Sequence, residues 1–397
     1  MDLDVQQVRA AFPSLAHGVA HFDGPGGSQT PRVVADAVAA TMVAGLANRG
    51  TVTAAERRAE DVVVGARQAA ADLLGADSRG IVFGRSATQL TMDLARVLSR
   101  QWSPGDEVVV TRLDHDCNIR PWTLAAEAAG AVVRWADFDP LSGELPVEAI
   151  TGLLTERTRV VAVTAASNLI GTRPDIAAVA AAVHEAGALL HVDGVHLVPH
   201  TPVDLGELGA DFFVCSPYKF FGPHHGILAG APQLFETLRP DKLLPSSDAV
   251  PERFELGTLP YELLAGTTAT VDFIADLTPA AGDRRSRVLA AMTAVEAHEG
   301  RLLAHLLQGL AELPQLTVHG RARLRTPTVL MTHDRLSGPQ VHARLAGTRI
   351  NAPASHFYAL EASRHLGLGE SGGVRVGLAP YTSRDEVDRL VGALAQL

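Results

Sequence analysis

Lys219 is the residue of this sequence whose type and position most clearly suggest chemistry. Lysine occurs only at Lys219 and Lys242, so 32 of the 34 basic residues are arginine. Lys219 follows the apolar run Phe212–Cys215 and precedes a Gly-Pro pair, whereas Lys242 lies in the polar, proline-bounded stretch RPDKLLPSS. A lysine just past a buried strand is a candidate desolvated amine, and desolvation makes a lysine nucleophilic enough to form a Schiff base. The sequence therefore predicts that Lys219 is a Schiff-base residue.

Asp193 is the second candidate, because it ends another apolar run. Residues 189–192 read LLHV and predict a strand that closes at Asp193. A carboxylate facing a pyridinium nitrogen and a lysine facing an aldehyde are the two anchors that pyridoxal 5'-phosphate (PLP) requires. An ionised Asp193 against the protonated ring nitrogen would make that cofactor an electron sink. Asp193 and Lys219 together predict a PLP site.

Four further stretches carry residues that could complete such a site, although each pattern alone has an ordinary explanation. In GRSATQL, Ala87 and Thr88 stand at a predicted helix start, where they could bind a phosphate dianion or simply cap the helix. His115, in LDHDCNIRPW, could stack on a pyridine ring and relay protons, or be a loop histidine. Asn168, in SNLIGTRPD, could donate to a phenolate or a carboxylate, or make an Asn turn. Arg375, in GGVRVGLAPY, could clamp an α-carboxylate, or be a surface arginine.

The elements that would position these residues alternate in type. Strands are predicted over 80–83, 107–111, 131–135, 159–164, 189–193 and 212–215, and helices over 53–74, 87–99, 119–129, 147–154 and 176–186. This alternation indicates βαβ units and an α/β fold with a mostly parallel sheet covered by helices. Ligands bind outside the carboxyl ends of the strands in such sheets, which is where the candidate residues fall. Beyond residue 282 an α+β pattern follows, with helices over 284–313, 340–345 and from 384, and strands over 316–319, 328–332 and 374–378.

The composition argues against several other classes of protein. The 397-residue chain has 47% hydrophobic and 20% charged residues, which suits a globular protein with a large core and a second domain. A formal charge of -10 and the lack of any Lys/Arg run argue against nucleic-acid and acidic-membrane partners. No apolar run reaches the length of a membrane span, and the acidic start MDLDVQQVRAAF is unlike a signal peptide. With only two cysteines, we expect no disulfide framework, no metal site and a cytoplasmic location.

The motifs together resemble one known family. DGVH at Asp193, SPYKFFGP at Ser216, FDGPGGSQTP at Phe22 and VRVGLAPYTSRDEVDRL at Val374 are similar to the class V aminotransferases of PLP fold type I. The resemblance is to the cysteine-desulfurase-like and isopenicillin-N-epimerase-like branch and spans nearly the whole chain. It implies a large PLP-binding α/β domain over 22–280 and a small α+β domain made from 1–21 and 281–397. It also implies a homodimer with shared active sites and an amino acid as the substrate.

The resemblance implies roles for individual residues. Lys219 is expected to form the Schiff base, Asp193 to hold the ring nitrogen and His115 to stack on the ring, so these three are the expected catalytic residues. Asn168 is expected near the cofactor phenolate and the substrate, and Arg375 is expected to bind the substrate carboxylate. The other expected cofactor contacts are Ala87, Thr88, His196, Ser216 and Tyr218, with Thr258 reaching the phosphate in the site of the other subunit.

Three features depart from the desulfurase pattern. His196 stands where desulfurases of this fold commonly carry Gln, and Tyr218 stands where they usually have His before the lysine. The stretch RINAPASHFYALEASRHLGLGESGG, shortly before Arg375, contains no cysteine, although desulfurases carry a nucleophilic cysteine on a mobile loop there. Ser355 and His356 cannot carry a persulfide. We therefore expect a reaction other than thiolate attack on the substrate sulfur.

The favoured function is a PLP-dependent C–S β-lyase acting on cysteine or an S-substituted cysteine. Lys219 would remove the α-proton, and a thiolate would leave Cβ, giving pyruvate and ammonia in the end. The same carbanion leaves open an amino-acid epimerase, an oxidative decarboxylation and deamination, or a cysteine desulfurase with an atypical nucleophile such as Cys117. A PLP-fold binding or regulatory protein is the non-enzyme alternative. The sequence does not specify the substrate side chain, because the residues that would contact it lie on loops that vary freely among families.

Overall fold

The computed structural model describes residues 3–397, so Met1 and Asp2, which begin the predicted small-domain segment, lie outside the described residues. The helices are, in chain order, α1 Val5–Ala10, α2 Arg32–Met42, α3 Ala54–Leu74, α4 Ala87–Ser99, α5 Arg120–Ala129, α6 Val147–Thr151, α7 Ile176–Glu185, α8 Leu205–Leu208, α9 Pro232–Thr237, α10 Tyr261–Ala275, α11 Arg284–Ala311, α12 Gly338–Gly347, α13 Leu360–His365 and α14 Arg384–Leu394. None of the helices over residues 3–397 is long and apolar enough to cross a membrane.

The strands form three sheets. They are, in chain order, β1 Ala20–His21, β2 Ile81–Gly84, β3 Glu107–Thr111, β4 Val132–Ala136, β5 Thr158–Thr164, β6 Leu189–Asp193, β7 Phe212–Cys215, β8 Gly226–Gly230, β9 Leu316–His319, β10 Thr328–His333, β11 Ile350–Asn351, β12 Ala354–Ser355 and β13 Gly373–Gly377. The large sheet has the order β2-β8-β7-β6-β5-β3-β4, and the small sheet has the order β12-β13-β10-β9. In the large sheet β3 to β7 are parallel, and β8 is antiparallel to both neighbours.

Both faces of the large sheet are covered, because its strands are apolar at successive positions. Val109 and Phe213 pack into a core with residues of α3, α7, α10 and α11. Their neighbours Val108 and Phe212 point to the opposite face and pack with residues of α4 and α5. A parallel sheet buried on both faces is the expected arrangement for βαβ units. The predicted doubly covered α/β fold is confirmed.

The small sheet places one polar residue against the large sheet. Val374 and Val376 on β13 face a core formed with residues of α11, α12 and α14, so Arg375 between them points the other way. The N-terminal helix α1 joins this part of the molecule through an ion pair of 2.6 Å between Arg9 and Glu386. The division into domains at residues 22 and 281 stays a prediction.

Short apolar strands and an amphipathic helix were predicted best. The bounds of α4, β3, β6, β7 and β9 agree with the prediction at both ends. Helix α10 was missed because it is buried on several sides, so its apolar residues show no one-sided period, and its sequence contains β-branched Thr267, Thr270 and Val271. Strand β8 was missed because the short run GILAG begins and ends in glycine.

Candidate active site

A cavity of about 660 Å³ opens at the carboxyl ends of β5, β6 and β7, facing Arg375 on the small sheet. Its position is the one that strand order predicts for ligand binding in such a sheet. Ten of the predicted site residues line it, namely Ala87, Thr88, His115, Asn168, Asp193, His196, Ser216, Tyr218, Lys219 and Arg375. The structure therefore brings together residues that lie up to 288 positions apart, from Ala87 to Arg375.

Thr258 is the predicted site residue that the structure does not place in this cavity. It lies exposed in a bend between Phe254 and the start of α10. This position agrees with a role in another subunit, which stays a prediction.

Asp193 is the last residue of β6, and its side chain is only 3% exposed. Its Oδ1 accepts a hydrogen bond of 2.9 Å from the Val195 amide, and its Oδ2 lies 3.5 Å from the thiol sulfur of Cys117, which donates to it. Burial raises the pKa of Asp193 above its usual value. A cationic partner in the cavity would reverse this shift, because an opposite charge favours the ionised carboxylate. Asp193 is therefore suited to a pyridinium nitrogen.

Lys219 ends a short 3₁₀ turn, Pro217–Lys219, that follows β7. Its Nζ donates to the carbonyl oxygen of Pro25 and lies 4.9 Å from the centre of the Tyr218 ring. Burial, reinforced by the positive charge of Arg375, lowers the pKa of Lys219 to about 8. At pH 7 about a tenth of the amine is therefore unprotonated, far more than for a lysine of ordinary pKa, and the unprotonated amine is the form that attacks an aldehyde.

The start of α4, at Ala87 and Thr88, lines the cavity and could serve as a cradle for an anion. The Ser86 Oγ caps the helix by accepting a hydrogen bond of 3.1 Å from the Gln89 amide. The first amides of a helix have no acceptor within it, so those of Ala87 and Thr88 are free to bind a phosphate at the cavity wall. Gly226 on β8 packs against this turn so closely that an added Cβ would lie 2.6 Å from the Ala87 nitrogen. The lack of a side chain at Gly226 therefore allows β8 to pack directly against the start of α4.

His115 is neutral in this site. Its Nδ1 accepts a hydrogen bond of 3.0 Å from the Cys117 amide, which leaves the proton on Nε2. Burial and the nearby charges of Lys219 and Arg375 lower its pKa to about 3. Its ring stacks on Tyr358, with ring centres 5.5 Å apart and an angle of 22° between the planes. The stacking on a cofactor ring stays a prediction.

His196 is buried between the cavity and the small sheet. Its Nε2 lies 2.8 Å from the hydroxyl of Thr328 and 3.1 Å from that of Thr326. Burial, with His200 nearby, lowers its pKa well below the usual value, so this ring is also neutral. Because Nε2 is committed to the threonines, only Nδ1 remains for the predicted bond to the cofactor.

Arg375 is 2% exposed, and three residues hold its guanidinium in place. Its Nη1 donates to the Asn168 carbonyl oxygen at 3.0 Å, and its Nη2 donates to the Asp23 carboxylate at 2.8 Å. The ring of Phe357 covers its guanidinium, with the centroid 3.7 Å from Cζ. Asp23 lies in the FDGPGG motif, whose acidic residue is the signal that could have found it. Nothing in the sequence pattern around Phe357 or Tyr358 marks a site.

Three buried polar atoms on residues that line the cavity have no hydrogen-bond partner among residues 3–397. They are Asn168 Oδ1, His196 Nδ1 and Arg375 Nε. Buried polar groups are rarely left unpaired, so these atoms indicate a polar ligand. An acidic group, an amine of lowered pKa, a helix-terminal cradle and these atoms fit PLP together with an amino acid.

The sequence profile of the family described as "Aminotransferase class-V" matches residues 20–390. The chain belongs to this family. An uncharacterized protein of Mycobacterium tuberculosis is 36% identical to this class V aminotransferase over 407 residues, which cover 100% of both chains. A cysteine desulfurase of Pectobacterium atrosepticum is 30% identical, over 100% of this chain and 98% of the relative. The solved structure of cysteine desulfurase CsdA from Escherichia coli is similar with a TM-score of 0.87 and 26% identity, over 100% of this chain and 98% of that chain.

These similarities confirm three of the predictions. The family, the fold-type I architecture and a PLP-dependent enzyme are as the motifs indicated. The roles of the individual site residues and the reaction of this class V aminotransferase stay proposals.

Proposed function

We propose that this class V aminotransferase is a C–S β-lyase that acts on cysteine or an S-substituted cysteine. The balanced reaction takes an S-substituted cysteine and water to a free thiol, pyruvate and ammonium. It breaks the bond between Cβ and sulfur, and the sulfur leaves with its electron pair and takes up a proton. No oxidant and no protein persulfide enter this balance.

PLP is the cofactor that the cavity would hold. Lys219 would bind its aldehyde carbon, Asp193 its ring nitrogen, and the amides of Ala87 and Thr88 its phosphate. Bound PLP supplies an electron sink for negative charge that develops at the substrate Cα. Ser216 and Tyr218, which also line the cavity, would complete its wall.

Lys219 and Arg375 would have different roles toward the substrate, one as a base and the other as the carboxylate-binding residue. Arg375 would bind the α-carboxylate and so fix the direction of the Cα–H bond. Lys219, whose pKa is lowered to about 8, would then take the α-proton as a neutral amine. His115 is neutral and carries its proton on Nε2, so it can donate a hydrogen bond without adding charge. Asn168, whose Nδ2 gives one hydrogen to the Phe357 carbonyl oxygen, would donate its second to the cofactor phenolate or to the substrate carboxylate.

The observation that carries the proposal is the state of the two thiols. Cys117 lies beside Asp193, and burial together with that carboxylate raises the pKa of its thiol well above the usual value. Cys215 is fully buried in β7, and burial raises its pKa as well. The thiolate is the form that attacks sulfur, so both cysteines are poor nucleophiles. The stretch from residue 349 to residue 373 contains no cysteine. An elimination needs no thiol from the protein.

A panel of substrates tests this function. The purified protein with PLP is supplied with L-cysteine, S-methylcysteine and S-benzylcysteine, and pyruvate, alanine and free thiol are measured. The proposal expects pyruvate and thiol in equal amounts from the S-substituted cysteines, and no alanine. Alanine with a protein persulfide would show a desulfurase, and inversion at Cα without pyruvate would show the epimerase alternative. The Lys219→Ala variant is the control for background elimination.

We also propose that the active unit is a homodimer. Six apolar side chains are strongly exposed in two segments of the chain, namely Met42, Val43, Val52, Leu243, Leu244 and Leu256. An ion pair of 3.1 Å between Arg49 and Glu252 joins these segments, and Thr258 follows the second one. Exposed apolar residues in segments that lie together favour a protein–protein interface, and a second copy of this chain would bring Thr258 to a shared site.

Mixed dimers test the shared site. Thr258→Ala should weaken PLP retention while Lys219 stays reactive. Inactive Lys219→Ala protomers mixed with impaired Thr258→Ala protomers should regain activity. A fully active monomer in sedimentation would contradict the shared site.

A further inference from the structure

Residues 355–359, with the sequence SHFYA, are called the aromatic segment below. The family resemblance predicts a mobile loop here. Hydrogen bonds and a ring contact nevertheless connect Phe357 and Tyr358 to residues of the active site. The Asn168 Nδ2 donates to the Phe357 carbonyl oxygen at 2.9 Å. The Asp116 amide donates to the Tyr358 carbonyl oxygen at 2.7 Å, and the Tyr358 ring stacks on His115. The segment is thus part of the wall of the site.

The backbone of the aromatic segment is strained. Phe357 has a φ of 50° and Tyr358 a φ of 59°, the left-handed region that residues with side chains rarely adopt. Such a conformation persists when the surrounding contacts over-determine it, and it is often found at functional sites.

The strained backbone presents the Phe357 ring to Arg375. The ring centroid lies 3.7 Å from Cζ, so the ring covers one face of the guanidinium. Asn168 and Asp23 hold the guanidinium by its edge. These contacts fix both the position and the plane of the group, while its Nε has no partner among residues 3–397.

We propose that Phe357 is a positioning residue that holds the Arg375 guanidinium in the plane in which it binds the substrate carboxylate. A guanidinium binds a carboxylate through two parallel N–H···O bonds, which requires a shared plane. A ring on its face keeps water from that face and directs the anion to the edge. The proposal rests on the proposed function, because it assumes that Arg375 binds the substrate.

A labelling experiment tests the contact independently of turnover. The apo-protein is treated with phenylglyoxal, and modification of Arg375 is followed by mass spectrometry. We expect slow modification in the native protein and in Phe357→Tyr, which keeps the ring, and faster modification in Phe357→Leu, which keeps an apolar side chain but has no ring. Tyr358→Leu is the matched control, because its ring stacks on His115, and should leave Arg375 as slow as in the native protein.

Kinetics with S-substituted cysteines tests the role. Phe357→Leu should raise KM about 5- to 30-fold, the range that loss of a desolvated cation–π contact corresponds to. The fall in kcat should be smaller, the visible cofactor band should be unchanged, and Phe357→Tyr should restore KM. The preference for the carboxylate substrate over its carboxamide should fall by the same factor.

Two results would overturn the proposal. One is unchanged labelling of Arg375 in Phe357→Leu, or labelling raised equally by Tyr358→Leu. The other is a KM within twofold of the native value, or a KM raised equally for the carboxamide. If the native protein turned over no S-substituted cysteine, the proposed function would fail, and the labelling would still decide whether Phe357 shields Arg375.

Discussion

Gly226→Ala tests the phosphate cradle with the addition of one methyl group. Gly226 lies on β8, and its Cα faces the turn that starts α4. An added Cβ would lie 2.6 Å from the Ala87 nitrogen and 2.7 Å from the Ser86 carbonyl oxygen. These neighbours are backbone atoms, so a flexible side chain cannot move aside to make room. We expect the turn to move and the affinity for PLP to fall.

The size of the effect follows from these distances. The nearest atom, the Ser86 carbonyl carbon, would lie 2.4 Å from the added Cβ, and ordinary van der Waals contact begins at 3.4 Å, so the turn must move by about 1.0 Å. A hydrogen bond to an oxygen spans only about 2.7–3.2 Å, so such a shift breaks one at its ideal length. A hydrogen bond to a charged group contributes about 1.5–3 kcal/mol. Losing one should raise the Kd of PLP about 10- to 150-fold.

The assay is titration of apo-protein with PLP, followed by the visible band, with the melting temperature of the apo-protein measured in parallel. Gly300→Ala on α11 is the control, because an added Cβ there meets no atom within 4 Å. Binding of PLP by Gly226→Ala as tightly as by Gly300→Ala would contradict a role of this turn in binding the phosphate. That role is also refuted if the variant loses apo-protein stability and regains full PLP affinity on cooling.

Three further predictions concern Lys219 and Arg375. Lys219→Ala should abolish the visible band and turnover, and a variant that still forms a borohydride-reducible adduct with PLP would contradict the assignment. In native apo-protein, burial lowers the pKa of Lys219 from the ordinary 10.5 to about 8, so its rate of acylation should be half-maximal near pH 8 and level off about one to two units above it; a half-maximal rate near 10.5 would contradict the lowered pKa. Arg375→Ala removes the proposed charged partner of the substrate carboxylate, a loss of about 2–5 kcal/mol, and should raise KM about 30-fold or more with an unchanged cofactor spectrum. An unchanged KM would remove Arg375 from the site.

The fold was predictable where a local pattern reflects the tertiary environment. The strands that end at Asp193 and Cys215 are short continuous apolar runs, and their length and the turn residues beside them identify them. Lys219 and Asp193 could be singled out because their chemistry is unusual at the end of a buried strand. Helix α10 could not, because burial on several sides removes the one-sided period on which the prediction depends.

The contacts around Arg375 were not predictable in the same way. Asp23 lies 352 positions before Arg375 and reaches it only because the N-terminal segment crosses to the small sheet. Phe357 reaches Arg375 through a left-handed backbone that no local pattern around SHFYA indicates. Such contacts depend on how separate elements pack, which a single sequence does not encode in its periodicity.

The central claim is that carbon–sulfur cleavage here needs no protein thiol. The most direct measurement uses the double variant Cys117→Ser and Cys215→Ser, loaded with PLP and assayed for pyruvate, alanine and sulfide with cysteine and S-substituted cysteines. The variant is expected to keep most of its activity, with pyruvate as the organic product. Alanine formed by the native protein and lost with Cys117 would show a desulfurase nucleophile in a new place and would contradict the lyase.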